Sequence, residues 1–441
     1  MLSAEDNELL TRVGPATPMG ELFRRFWLPA LLPAELPAPD CAPVRLRLLG
    51  EDLVAFRDST GQVGFLAALC AHRRAPLFFG RVEQAGLRCV YHGWKYDVAG
   101  NCVDMPNEPP TSNFKGKVHQ PAYPAREYGG LIWIYMGPSE HGPELPQLEW
   151  ALVPDSHRHL SKWIQDTNYA QGLEGEIDNS HTMFLHSRPN SFLRPTAGRG
   201  SLIPKTTDQA PTMMIKETDY GFMNGVRRTI DGSNDYYWRV TQWLLPDYSI
   251  TAGGDPGGRK GGRCWIPIDD EHTWTFAYSY HPDRPLSADE HEYLESGAFF
   301  PPRLLPSTFR PQLNKDNDYG VDRERQRTES FTGIYGFNAQ DRSVQEGMGA
   351  IVDRSKEHLG TSDLAVIAAR RVLLRRALEL QQGIEPYAAS RGEIYRVRSL
   401  LTVAAEENFD RLLAAHKERM RIPSRRLGRE SQPELLPPRK A

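Results

Sequence analysis

Apolar positions in this chain alternate with polar ones over short runs before any helical period appears. Runs at 44–49, 52–57, 64–69, 87–91 and 131–135 each read as a strand, broken by Gly, Asp and Asn. A short amphipathic helix is predicted over 21–27, leading into a Pro-rich connector at 29–43. Beyond the Pro- and Glu-rich segment 138–146, strands at 212–218, 236–244 and 273–280 alternate with helical stretches. The run 364–382 predicts a long amphipathic helix across the larger domain, with Thr361, Ser362 and Asp363 as capping residues and Gly383 as its stop. Six glycines between 253 and 262 carry no Gly-Lys-Ser/Thr ending and no dinucleotide fingerprint, so they predict a hairpin tip. The pattern is α+β: an all-β unit within 1–150, then a larger domain of antiparallel sheet with helices over 151–441.

Composition narrows the partners. The chain's 441 residues suffice for two cores, and 53 Lys and Arg against 56 Asp and Glu leave a formal charge of -3. That balance lacks the basic excess that neutralises phosphates, so nucleic acid is not an expected partner. The start of the chain is acidic and no window approaches the roughly 18 apolar residues of a membrane span, which places the protein in the cytoplasm. Five cysteines, an odd number, fit a reducing compartment better than a disulfide framework.

Two cysteines stand beside histidines. Cys70-Ala71-His72 and Cys89-Val90-Tyr91-His92 are separated by 16 residues, and each segment offers one thiolate and one imidazole. A Rieske-type [2Fe-2S] cluster requires this arrangement, with Cys70 and Cys89 on one iron and His72 and His92 on the other. The competing reading is a structural Cys2His2 zinc site, although zinc ligands usually pair like with like at close spacing. Gly93, Trp94 and Tyr96 supply close backbone approach and aromatic shielding.

A second constellation is Asp178-x2-His181-x4-His186. Five residues along a regular helix rotate a side chain by roughly 140°, too far for easy chelation, so two ligands at this spacing require a distorted backbone. A further carboxylate must come from elsewhere, and the residues alone do not choose among Asp341, Glu346, Asp353 and Glu357.

The stretches 20–25, 50–57, 91–96 and 102–106, together with both constellations, resemble the Rieske non-haem iron aromatic-ring-hydroxylating oxygenases, and most of all the phthalate 4,5-dioxygenase group. The resemblance implies an N-terminal Rieske domain and a C-terminal catalytic domain holding mononuclear Fe(II) in a two-His, one-carboxylate triad. It selects Asp341, within Gln340-Asp341 followed by Gln345-Glu346-Gly347-Met348-Gly349, as the third ligand beside His181 and His186. It makes Asp178 a catalytic bridge to the cluster histidine His92 of a neighbouring subunit, and hence implies a cyclic trimer, or two stacked as a hexamer. The implied reaction uses O2 on an aromatic carboxylate by cis-dihydroxylation; the alternatives are monooxygenation that cleaves an aryl ether or removes a methyl group, and a Rieske carrier that only transfers electrons. Electrons come from a separate NAD(P)H-dependent reductase, because no flavin or nicotinamide fingerprint occurs here. Where the family has Pro and Gly in the first cluster loop, this chain has Ala71 and Arg74. An aromatic carboxylate calls for an arginine clamp, with Arg227, Arg228 and Arg239 as candidates.

Overall fold

A computed structural model describes residues 2–187, 204, 206, 208–253 and 258–423. The first part builds three small sheets. Trp27–Leu31, Leu131–Tyr135 and Ala125–Tyr128 form one; Val44–Leu48, Glu51–Arg57, Val63–Ala67 and Ala122–Tyr123 a second; the very short Arg81–Val82, Leu87–Arg88, Lys95–Tyr96 and Cys102–Asp104 the third. In Val44–Leu48 the pleat turns Arg45 and Arg47 outward and buries Leu46 and Leu48, the alternation visible in the sequence.

Boundaries shift by one or two residues in several elements, such as the strand expected at 64–69, which is Val63–Ala67, and depart further in three places. The helix predicted over 21–27 spans Pro18–Arg24, with Thr17 accepting from the Gly20 amide at 3.2 Å and proline in its first turn. Trp27 opens a strand that runs into the expected connector. All five residues of Trp27–Leu31 are buried, so there is no alternation to read, and the pairing with Leu131–Tyr135 shifts register at Pro29, whose nitrogen cannot donate. The strand expected at 87–91 ends at Arg88, because the chain turns at Cys89.

The larger sheet has eight strands, all paired antiparallel. Its order is Arg158–Gln165, Thr273–Tyr280, Lys260–Pro267, Tyr248–Ile250, Tyr236–Leu244, Gly221–Thr229 and Thr212–Thr218, with Leu400–Ala404 also pairing with Tyr236–Leu244. The glycine-rich segment joins two paired strands as expected, and 254–257 lie outside the described residues. Gly261 and Gly262, however, belong to the strand Lys260–Pro267. A Cβ at Gly262 would stand 2.0 Å from the Ser249 carbonyl oxygen, so close strand approach, not a loop, requires glycine there.

The long helix is Leu364–Gln381. It packs on Pro18–Arg24 and Ala4–Thr11 as well as on Tyr169–Ile177 and Thr212–Thr218. Its start is not capped by a side chain: a tight turn at Thr361–Asp363 precedes it, and Asp363 accepts from the Gly360 amide instead. No helix among the described residues is long and apolar enough to cross a membrane.

One core runs through both parts. Trp133 of the first stacks on Trp150 at 6.1 Å, and Trp150 stacks on Tyr278 of the large sheet at 4.9 Å. A buried cation fastens the same seam. Lys162 Nζ donates to the Ala30 carbonyl at 2.9 Å and to Glu35 at 3.0 Å, above the Trp274 ring, and burial presses the ammonium down to about 8. Breaking such a pair from one side leaves an uncompensated charge. Glu35→Gln is expected to cost about 3 kcal/mol in chemical denaturation, whereas the double replacement with Lys162→Met stays close to the parent. Equal loss in both variants would show that the pair, not the orphaned charge, matters.

Candidate metal centres and active-site cavity

Cys70 and Cys89 head two loops of the same design. In each, the cysteine amide donates to the carbonyl five residues on, Ala75 at 2.9 Å and Trp94 at 2.8 Å, and its carbonyl accepts from the amide four residues on, Arg74 and Gly93. The closing residue needs a left-handed backbone, with φ of 58° at Arg74 and 79° at Gly93. The departure at Arg74 therefore places a side chain where glycine is favoured, at a cost of roughly 1–2 kcal/mol. Gln120, fully buried, holds the first loop: its Oε1 accepts from the Ala71 amide at 2.7 Å while its Nε2 donates to the Ala67 and Leu69 carbonyls. Nothing in the sequence marks Gln120, because its partners are backbone groups some 50 positions away.

Both thiols are buried, and the His72 ring lies 4.5 Å from His92 and stacks on Trp94 at 4.2 Å. His72 Nδ1 is buried without a hydrogen-bond partner, which is what a ring nitrogen reserved for a metal looks like. Tyr96 Oη stands 3.2 Å from Cys70 Sγ. A tetrahedral zinc site would draw its four donor atoms to within about 4 Å of one another. Among the described residues only His181, His186 and Asp341 bring three metal-binding atoms within 4.8 Å. The Cys and His pairs instead suit a group with two metal positions.

The second centre forms where a helix fails. Tyr169–Ile177 ends at Asp178, and a single tight turn at His181–Met183 follows before the chain loops to His186. This break removes the 140° separation of a regular helix. His181 Nε2 and His186 Nε2 lie 3.6 and 3.1 Å from Asp341 Oδ1, on the helix Phe337–Gln345. The other late carboxylates are engaged elsewhere: Glu346 with Arg342 and the Tyr319 hydroxyl, Asp353 with Ser355, Glu357 with Arg370.

Asp178 accepts from the Ser180 amide and hydroxyl through Oδ1 and faces His181 Nδ1 at 3.2 Å through Oδ2. Burial opposes charge here, yet Asp178 and Asp341 together raise the His181 imidazole to about 10. Burial likewise pushes the Asp341 carboxyl up, but His186 and His181 outweigh it and hold it far below the usual range. The pocket thus stabilises positive charge at the point where the two imidazoles and Asp341 meet, which fits a divalent cation.

These residues border a cavity of about 540 Å³. Phe299, Phe300 and Phe337 form an apolar wall, and Arg228, Arg239, Arg259 and Arg263 bring positive charge. Of the arginines expected from sequence, Arg227 does not line the cavity; it pairs with Glu407 and lies over Tyr236. Arg228 is buried and donates to the Asp208 and Asn179 carbonyls. Arg239 spends Nε on the Ala252 carbonyl at 3.0 Å, and its Nη groups find no acceptor among the described residues. Arg263, which sequence reasoning missed, pairs with Glu176 and lies 3.5 Å over Phe300, with Nη1 3.8 Å from Asp341 Oδ2. Only the fold brings it there.

Residues 26–119 match the Rieske [2Fe-2S] domain family, and 134–430 match the LigXa C-terminal domain-like family. The chain is 42% identical over 393 residues to the phthalate 4,5-dioxygenase oxygenase subunit of Pseudomonas putida, covering 87% of this chain and 88% of that one. It is 33% identical over 395 residues to the 5,5'-dehydrodivanillate O-demethylase oxygenase subunit of a Sphingobium species, covering 89% and 84%. The fold is also that of the terminal oxygenase of carbazole 1,9a-dioxygenase from Novosphingobium sp. KA1, with a TM-score of 0.55 at 22% identity over 87% of this chain and all of that one. The chain belongs to the Rieske non-haem iron oxygenases, as an oxygenase subunit with a [2Fe-2S] domain ahead of its catalytic domain.

Proposed function

We propose that this chain is the terminal oxygenase that hydroxylates an aromatic carboxylate of the phthalate type. The observation that carries the reading is the convergence of His181, His186 and Asp341 on a cavity with an aromatic wall and an arginine whose terminal nitrogens have no acceptor among the described residues. Cys70, His72, Cys89 and His92 hold the cluster, and His181, His186 and Asp341 hold Fe(II). When bound, the cluster supplies electrons singly and the iron provides the open positions at which O2 is activated.

The protein's own groups do the rest. Asp178 holds His181 Nδ1 so that Nε2 turns toward Asp341. Arg239 receives the substrate carboxylate, Phe300 and Phe337 cover the ring, and their apolar faces keep bulk water away. Replacing Arg239 by methionine removes a charge-assisted hydrogen bond worth about 1.5–3 kcal/mol. KM for phthalate-type substrates is expected to rise roughly 10- to 100-fold with a smaller change in kcat. An unchanged KM would remove Arg239 from the clamp.

The division at residue 150 belongs to the same proposal and is supported by the separation of the small sheets from the eight-stranded one. So does a cyclic trimer. Exposed apolar side chains occur beside both sets of candidate ligands: Val90 and Tyr91 in the second Cys-His loop with Phe114 against Trp94, and Phe184 between His181 and His186 with Val344 on the helix that carries Asp341. Two unlike patches on one chain suit head-to-tail contacts, which close into rings. Such a ring sets His92 of one copy beside Asp178 of the next. Electrons then enter from a separate reductase, in keeping with relatives that are named as oxygenase subunits.

O-demethylation is the second reading, because the Sphingobium relative, 33% identical over 395 residues, is named for that reaction. Arg239 and Arg259 favour a carboxylate on the substrate in either reading, and ring hydroxylation is placed first on the likeness to the phthalate 4,5-dioxygenase subunit.

A further inference from the structure

His181 and His186 are held from behind by different chemistry. An anion, Asp178, faces His181 Nδ1, whereas His186 Nδ1 lies 2.7 Å from a neutral amide oxygen, Gln340 Oε1. Gln340 is 7% exposed and immediately precedes Asp341 on the helix Phe337–Gln345. Its Nε2 donates to the Ile334 carbonyl at 2.9 Å. That contact fixes which end of the amide faces the imidazole, because a carbonyl accepts only from the nitrogen end. An oxygen is therefore presented to His186 Nδ1. A proton on Nδ1 would satisfy that oxygen and leave the Nε2 lone pair for a cation shared with Asp341 Oδ1, 3.1 Å away. Phe337, with its ring centroid 4.5 Å from that of His186, limits rotation of the imidazole.

We infer that Gln340 is a positioning residue for the mononuclear iron: its amide oxygen sets the tautomer and angle of His186, with Ile334 setting the amide. This rests on the reading of His186 as a ligand. Its distinct content is that one ligand is held by an acceptor of full charge and the other by a neutral one, so the two imidazoles differ in donor strength. The neutral amide of Gln340 keeps a further negative charge out of a pocket that already holds Asp178 and Asp341.

The test separates the acceptor from mere packing. Gln340→Met keeps the volume and loses both polar contacts; Gln340→Glu keeps an oxygen toward His186 and loses the donor to Ile334. Fe(II) affinity is read by chelator competition on protein whose cluster absorbance is intact, alongside the spin-resonance spectrum of the nitric oxide adduct of the mononuclear iron. Gln340→Met is expected to weaken Fe(II) binding about 10- to 100-fold. Gln340→Glu is expected to restore most of that affinity and to give an adduct spectrum shifted from the parent. Full affinity in Gln340→Met, or equal losses in both variants, would overturn the inference, the second by showing that the Ile334 contact alone matters. His186→Ala is run beside them. If it too keeps its iron, the ligand reading itself falls; if it loses iron while Gln340→Met does not, only the role of Gln340 falls.

Discussion

Asp341→Ala is expected to abolish the mononuclear iron and lower turnover by roughly three orders of magnitude or more, since a metal centre contributes several kcal/mol at the reacting atoms. The cluster should keep its visible spectrum. Asp341 is 6% exposed and supplies the only carboxylate oxygen, among the described residues, within reach of both imidazoles. Among the described residues nothing nearby can replace it: Glu346 is held by Arg342 and Tyr319, and Glu176 by Arg263 and Ser249. The fold should survive, because Arg263 retains Glu176 as its partner. Iron analysis against cluster absorbance decides the matter. Retained iron with retained turnover would refute the ligand assignment.

The second large effect is expected at Asp178. Its two oxygens accept from different sides, Oδ1 from Ser180 and Oδ2 toward His181. Only a carboxylate offers an acceptor on both. In Asp178→Asn the oxygen is claimed by Ser180 and an NH2 group is turned against the proton of His181. Both metals should still bind, but reoxidation of the reduced cluster through the iron is expected to slow about 100-fold, the upper end for a group that orients a metal ligand. Stopped-flow absorbance of the cluster gives the rate, and an unchanged rate removes the bridge. A mixing experiment tests the path. After subunit exchange, a chain with His92→Ala and a chain with Asp341→Ala should recover activity together that neither has alone. No recovery would place the transfer within one chain and leave the ring without a function.

Much of this could be read from the residues because short-range signals carry it. Tyr236–Leu244 and Thr273–Tyr280 are rich in aromatic and β-branched residues, and Leu131–Tyr135 stands out between Gly129-Gly130 and Gly137; each appears as a strand within the bounds expected. The Cys70, His72, Cys89 and His92 set was visible because Cys and His recur at short spacing on two loops. What sequence hid depends on long range. Trp27–Leu31 was lost because burial on both faces erases alternation. Gly221–Thr229 and Lys260–Pro267 are interrupted by glycines that exist for close contacts, such as that of Gly262 with Ser249. Among four late carboxylates only resemblance pointed to Asp341, since no local feature separates it from Glu346 or Glu357. Arg227 and Arg228 are neighbours in sequence, yet the pleat sends one outward to Glu407 and the other to the cavity. Arg263 and Gln340 owe their places to Glu176 and Ile334, partners visible only after folding.

The most direct test of the account is one turnover of chemically reduced protein, without any reductase, mixed with O2 and a panel of aromatic carboxylates and aryl ethers, with products read by mass spectrometry. The account predicts that a benzene carboxylate of the phthalate type gains two oxygens and two hydrogens as the cluster reoxidises. Loss of methyl from an ether, with the carboxylates untouched, would transfer the chain to the demethylating reading. Cluster reoxidation with no product from any substrate would contradict the claim that its electrons are spent at His181, His186 and Asp341 on an aromatic ring.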